Sequence, residues 1–377
     1  MTTENLAERS GPVTIHRNLD ALPPAILHLL HTASSDSFFH SPAWFQALAR
    51  HGYDKGAEVR VYAAGNGAPR VALVADVRLP AGRFGPRTLS AFANYYSCLY
   101  GVAIAPGEDS RAVAVLVDAL VDERPRWQSV HLHSLDMDDP SFGQLTQAFR
   151  RRGWPVQTYF QFGNWFEPTA GVDADTYVKS RPGQLRNTVK RHEAKLARAA
   201  KATFDFVNGG ADLESAIADY EAVYSQSWKV EEPFPEFAKG LARSAAEAGA
   251  LRLGIAHVDG APAAAQLWIV WRGKATIYKL AHDKRFDELS IGTILTMRMM
   301  RHVLDTDRPV EVDFGRGDDP YKRLWLSKRR ERWGIIAFNP ATARGAAAAA
   351  RHMAGRFART TLNRLNARRP PADGATR

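Results

Sequence analysis

Between residues 312 and 325 the chain reads VDFGRGDDPYKRLW, which gathers an aspartate on an apolar strand, two glycines, two more aspartates, a proline, a tyrosine and a lysine. Asp319 suits a helix N-cap and Pro320 the first helical position, so Tyr321 and Lys322 are expected in a first turn. A cation there opposes the helix dipole at a cost of roughly 0.3–1 kcal/mol, so Lys322 needs an anion. Two readings are open: a local ion pair with Asp318 or Asp319, or a helix start and ammonium that together face a ligand phosphate or a developing oxyanion. Strand alternation in VEVDF puts Val310, Val312 and Phe314 on one face and Glu311 and Asp313 on the other. Asp313, beside the glycine opening, is the candidate general base.

A second cluster lies in KATIYKLAHDKRFDELSIGTILTMRMMRHVL, 274 to 304. A strand ends near His282, and Ser290, Ile291, Gly292 and Thr293 open a helix whose Ile294, Leu295 and Val303 pack on a sheet. Backbone N–H groups at such a start can hold pyrophosphate, and glycine permits close approach; an ordinary serine cap gives the same pattern. Alternation places Ile277, Lys279 and Ala281 on one strand face and Tyr278, Leu280 and His282 on the other. Lys279, His282, Asp318 and Asp319 are the candidate substrate contacts. Neither GxGxxG nor a Walker lysine is present, which argues against dinucleotide and nucleoside-triphosphate chemistry.

The elements that must position these residues form two similar series. VRVYAAGNGAPRVALVADVRL (59 to 79) and LRLGIAHVDGAPAAAQLWIVW (251 to 271) both read as β-hairpins, each with Gly-Ala-Pro at the turn exit, at 67–69 and 260–262. A strand, a helix, a strand, a helix and a strand follow in each case. The expectation is an α/β (α+β) fold of two tandem units, each a mixed, mostly antiparallel sheet flanked by helices: 13–170, 171–340, then a basic tail, 341–377. Between the units, SRPGQLRNTVKRHEAKLARAAKATF (180 to 204) reads as a helix with Leu185, Val189 and Leu196 inward. Its exposed Arg186, Lys190, Arg191, Lys195 and Arg198 form either a solvated face or the basic border of an inter-unit cleft.

The 377 residues are 45% hydrophobic, as in a globular protein, and contain one cysteine, Cys98. No internal disulfide is possible and no thiolate zinc site is indicated, so the reading involves no metal. With no signal-like segment and no uncharged apolar run of about 20 residues, a cytoplasmic protein is expected. Of the net charge of +10, +7 belongs to the tail from Ala341. There a basic helix, about Ala343 to Ala367 with Met353, Phe357, Leu362 and Leu365, reads as a peripheral contact for an anionic membrane or as a solubilising extension.

From about Tyr177 to Pro340 the chain resembles the Gcn5-related N-acetyltransferase (GNAT) superfamily, in the branch associated with cellulose biosynthesis, and more distantly the FemABX aminoacyltransferases. The resemblance rests on SWK at 227–229, AAQLWIV at 264–270, KLAHD at 279–283, SIGT at 290–293 and DFGRGDDPYKRLW at 313–325. It implies tandem GNAT-like domains, the first degenerate, and N-acyl transfer from acyl-CoA or acetyl-CoA to a small-molecule or saccharide amine in envelope or polysaccharide synthesis. It further implies pyrophosphate at Ser290 to Thr293, Tyr321 as the acid for the leaving thiolate and Lys322 at the reacting ester or phosphate. Leu289 and Ile294 depart from the family's Arg/Gln-x-x-Gly-x-Gly/Ala pattern, which keeps aminoacyl-tRNA open as donor. A non-catalytic binding protein is the remaining reading.

Overall fold

A computed structural model describes residues 12–352 except 34–36, 55, 79–85 and 109. The first half runs β1 (Val13–His16), α1 (Pro24–Thr32), α2 (Pro42–His51), β2 (Glu58–Ala64), β3 (Val71–Arg78), β4 (Thr88–Ala91), β5 (Ala103–Ile104), α3 (Ser110–Asp122), β6 (Ser129–Asp136), α4 (Pro140–Arg151) and β7 (Val156–Pro168). Two helices, α5 (Ala174–Ser180) and α6 (Gly183–Ala199), link it to the second half. That half runs β8 (Ala202–Val207), α7 (Leu213–Ser225), α8 (Phe237–Glu247), β9 (Leu251–Val258), β10 (Ala261–Trp271), β11 (Lys274–His282), α9 (Ile291–Thr306), β12 (Glu311–Asp313), α10 (Lys322–Trp325) and β13 (Lys328–Phe338). Apart from the short β5, the two halves repeat one order of elements, and the chain is a tandem pair of mixed α/β units.

Both expected hairpins form, β2 with β3 and β9 with β10. The second turns on Asp259 and Gly260, both at positive φ (50° and 82°), the geometry that matches the twist of paired strands. All strands join one sheet, in the order β1-β2-β3-β4-β6-β13-β7-β12-β11-β10-β9-β8, with β5 beside β3. The two halves therefore exchange their last strands: β13 pairs with β6 of the first half, and β7 with β12 of the second. At the centre β7 and β13 pair with each other.

In the second unit α7 and α8 cover one sheet face through Ile217, Val223 and Leu241. On the other face α5, α6, α9 and α10 pack Tyr177, Leu185, Leu295 and Trp325. Each fully buried aliphatic side chain there contributes about 1.5–3 kcal/mol. Helix α6 buries Leu185, Val189 and Leu196, as its spacing requires.

Two local expectations need correction. The helix predicted to start at Pro320 begins at Lys322 and is four residues long, and Asp319 makes no capping bond to it. The strict alternation expected in β11 also fails. A β-bulge against Leu267 and Trp268 leaves Tyr278 without a register partner, so Tyr278 packs with Ala281 on the α7 face, while Ile277 and Leu280 pack on the α9 face. In the tail, residues 343–352 are helical; Met353, Phe357, Leu362 and Leu365 lie outside the described residues.

Candidate active site

The parallel pair β11 and β12 is joined through three residues, Lys274–Thr276 with Glu311–Asp313. Beyond them the strands part. On the α9 side of this seam lies a cleft of about 450 Å³, lined by Trp228, Gln266, His282, Asp287, Ser290, Gly292, Thr293 and Tyr321 among others. Four of the predicted positions on the helix start and strand end, together with Tyr321, thus share one cavity. Ile291 is fully buried, so it offers the cleft backbone alone.

Helix α9 is aimed at the cleft by a tight approach. A 3-10 turn over Lys284–Leu289 ends at Ser290 in the left-handed region, φ 52°, and Ser290 makes no side-chain cap. The N-terminal dipole of a sixteen-residue helix thus lies at the cavity, and with the Thr293 N–H donated to the Ser290 carbonyl (3.0 Å) the N–H groups of Ile291 and Gly292 are left at its start. Gly292 keeps the entrance clear, since a Cβ there would lie 3.1 Å from His282 Nδ1. The His282 ring is held by Asp287 (Nε2 to Oδ1, 2.7 Å) and by Trp228, whose ring centroid is 4.5 Å away. With the Nε2 proton donated to Asp287, Nδ1 is the basic nitrogen.

Gln266 is a site residue that the sequence reading missed. Buried in β10, it donates to the Gly292 carbonyl (3.2 Å) and Thr296 Oγ1 (2.6 Å) and accepts from Trp268 Nε1 (2.9 Å), which ties the helix start to the sheet. The available signal was a lone amide inside the apolar run AAQLWIV. Arg181 is a second such residue. It bridges Glu167 (2.8 Å) and the Trp325 carbonyl (2.8 Å), while Tyr177 donates to the same carbonyl at 2.7 Å, and together they fix α10 from behind.

Tyr321 is part of the cleft wall, its ring edge-on to Phe314 at 5.8 Å. Burial, then the Asp319 carboxylate, pushes its pKa up to about 12, so the phenol remains a proton donor through the neutral range. Lys322 is 4% exposed and turned to its own loop: Nζ donates to the carbonyls of Arg316 (2.7 Å) and Gly317 (3.2 Å) and pairs with Asp319 at 3.2 Å. The local ion pair is what forms. Gly315 in this loop requires glycine, because its φ is +58° and a Cβ would sit 2.9 Å from Cys98 Sγ.

Asp313 lies apart from the cleft. One carboxylate oxygen accepts from the Gly315 N–H (2.7 Å), the other pairs with Arg330 (3.1 Å), and the side chain lines a separate, enclosed cavity of about 50 Å³. Asp318 accepts from Trp165 Nε1 (2.7 Å) and Arg329 (2.9 Å). Lys279 lies with Ala281 on the α7 side, the face opposite His282 as alternation required, where it pairs with Glu232 and lies 5.0 Å from the centre of the Tyr96 ring. Burial lowers its pKa against the opposing pull of Glu232.

The fold is that of a tandem GNAT-like arrangement, and in its second unit a helix start, an imidazole and a phenol surround one cavity. Residues 183–323 match the family model described as an acetyltransferase (GNAT) domain. Among solved structures the chain is similar to FemX, at 10% identity over 88% of this chain and 98% of that one, with a TM-score of 0.62. L-PGS from Bacillus licheniformis aligns at 7% identity over 87% and 96%, TM-score 0.52. A C-terminal domain assigned to a lysylphosphatidylglycerol synthetase of Agrobacterium fabrum aligns at 13% over 86% and 95%, TM-score 0.50. At these identities the likeness is one of fold. No match is found among curated proteins. Among the described residues no helix is long and apolar enough to cross a membrane.

Proposed function

We propose that the chain is an N-acyltransferase that moves an acyl group from acyl-CoA or acetyl-CoA to a small-molecule or saccharide amine, in the service of envelope or polysaccharide synthesis. The observation that carries this reading is the convergence of the α9 start, His282 and Tyr321 on one cleft. At the Ser290 to Thr293 helix start the Ser290 and Thr293 N–H groups donate to the Asp287 and Ser290 carbonyls, so the N–H groups of Ile291 and Gly292 receive the donor's pyrophosphate. The amine nitrogen attacks the thioester carbonyl carbon and the C–S bond breaks. The proton lost from nitrogen goes to His282 Nδ1, directly or through water, and the departing thiolate takes a proton from Tyr321. On balance the proton leaving the amine ends on the thiol. Asp313 has a positioning role: with Arg330 and the Gly315 N–H engaged, it anchors the loop that carries Tyr321.

Aminoacyl-tRNA as donor is the second reading. It is favoured by Leu289 and Ile294 in place of the usual pyrophosphate pattern and by the basic helix α6, whose Lys195 donates to the Glu288 carbonyl (2.7 Å) at the cleft's edge. One structural neighbour is a domain of a lysylphosphatidylglycerol synthetase, an enzyme named for joining an amino acid to an acceptor.

Calorimetry with acetyl-CoA and with charged tRNA separates the donors. For the CoA reading, Gly292→Ala should bind acetyl-CoA roughly ten-fold more weakly than the parent, since the added methyl meets His282. Equal affinity in the two proteins, or tight binding of charged tRNA alone, would remove CoA from the cleft.

A further inference from the structure

On the sheet face opposite the cleft, α7, α8 and the chain between them enclose a second cavity of about 470 Å³, lined by Tyr220, Tyr224, Lys229, Glu231 and Glu232 among others. Glu232 is engaged by Lys279 and by the Tyr224 hydroxyl, which donates at 2.5 Å. Three other groups around this cavity have no polar partner among the described residues. Tyr220 is 4% exposed, yet its hydroxyl makes no hydrogen bond. The Lys229 ammonium has the Trp228 ring, 5.8 Å away, as its neighbour, with no carboxylate or carbonyl in contact. Glu231 meets no cation.

An unpaired hydroxyl at this depth costs about 1–3 kcal/mol, and a half-buried ammonium without an anion is similarly disfavoured. Burial and then the neighbouring Lys279 charge press the Lys229 pKa down, which a bound anion would reverse. Among the described residues the cavity thus presents a cation that feels Glu232 and Asp319 without touching either, an anion with no cation in contact and one buried hydroxyl, with Pro235 and Ala238 as apolar lining. A ligand that satisfies all three carries one anionic and one cationic group.

We propose that this pocket binds a free α-amino acid, its carboxylate on Lys229, its ammonium towards Glu231 and Tyr220 bonded to one of them. The volume leaves room for a large side chain against the apolar lining. The site is separate from the transfer reaction, because it lies on the sheet face opposite the cleft that Tyr321 lines.

The test is calorimetry on the full-length protein without donor, using each of the twenty common L-amino acids, then the decarboxylated amine of the best binder. At least one amino acid should bind one-to-one. The amine lacking the carboxylate, and the amino acid on Lys229→Gln, should each bind about ten-fold more weakly or worse. Glu231→Gln, at an exposed position, gives a second variant and should weaken binding in the same direction. Tyr321→Phe should bind the amino acid as the parent does, which keeps this result separate from the transfer reaction. Absence of binding by any amino acid, or equal affinity in Lys229→Gln, overturns the pocket assignment even where thiol release to another amine persists.

Discussion

The two parallel strand pairs among the described residues begin alike and end differently. β4 joins β6 through residues 88–90 and 129–131, and β11 joins β12 through 274–276 and 311–313. In the first unit the chain from Phe92 to Tyr100 returns across the opening. The Tyr100 N–H donates to the Ser134 carbonyl (2.8 Å), its hydroxyl to the Val74 carbonyl (2.6 Å), and Phe92, Ser97 and Tyr100 are buried. In the second unit the corresponding parting is left as the cleft. The plug also serves the open side: Cys98 approaches Gly315, and the Tyr96 carbonyl accepts from the Tyr278 hydroxyl. Of two copies of one fold, one has become the floor on which the other's site is built.

The same contrast appears at residue scale. Asp138-Asp139-Pro140 and Asp318-Asp319-Pro320 occupy equivalent positions, between a strand and the helix that follows. The next residues are Ser141 and Phe142 in the first unit, Tyr321 and Lys322 in the second. Ser141 is buried and Phe142 packs on the core, whereas Tyr321 is open to the cleft. Lys322 therefore fills a position that the first copy gives to an apolar ring, which explains why it is buried and why its ammonium bonds to nearby carbonyls.

The largest effect should come from Tyr321→Phe. Loss of a positioned acid is worth about a hundred-fold or more in transfer rate, with no change in melting temperature. Ser141→Ala, its counterpart, should leave the rate alone. Because the Tyr321 pKa is pushed up to about 12, the phenol stays protonated below that pH, so activity lost between pH 8 and 10 must come from another group. A parent and a Tyr321→Phe enzyme with the same rate would make the two units equivalent at this position and end the comparison.

Lys322→Met comes next. Removing a buried ammonium that donates to two carbonyls should cost about 2–3 kcal/mol of unfolding free energy, read by urea denaturation, with a parallel fall in activity as the loop at 315–319 loosens. Activity lost at unchanged stability would instead give Lys322 the direct contact with the reacting group that the sequence resemblance implies.

Much of this was legible because it is local. The helix over 183–199, the turn at Asp259-Gly260 and the glycine at the start of α9 are each written within a few residues. So is the open position of Tyr321 after Pro320. What stayed hidden depends on distant partners. Asp313 looked available as a base because Arg330 reaches it from β13, a strand exchanged between halves, and no local pattern announces that exchange. Alternation set Lys279 and His282 on opposite faces, as found, but it cannot reveal a bulge at Tyr278, which puts Ile277 and Tyr278 on the faces opposite to those expected. The pairing of Lys279 with Glu232 likewise waits on the fold of the chain between α7 and α8.

The smallest predicted difference tests the comparison most closely, since it concerns two aspartates in the same tripeptide. Asp139 accepts from the Ser141 N–H at 2.8 Å and caps the twelve-residue α4, so Asp139→Ala should cost about 1 kcal/mol and leave transfer unchanged. Asp319 makes no cap, and its side chain, 59% exposed, touches Lys322 at 3.2 Å. A pair with one partner in solvent contributes about 0–1 kcal/mol, so Asp319→Ala should fall below Asp139→Ala in stability cost. It should, however, lower the pKa of Tyr321, because the carboxylate is one of the two causes that raise it. Titration of the phenol by ultraviolet absorbance reads that shift directly, and an unshifted titration would mean that Asp319 has no electrostatic influence on the cleft.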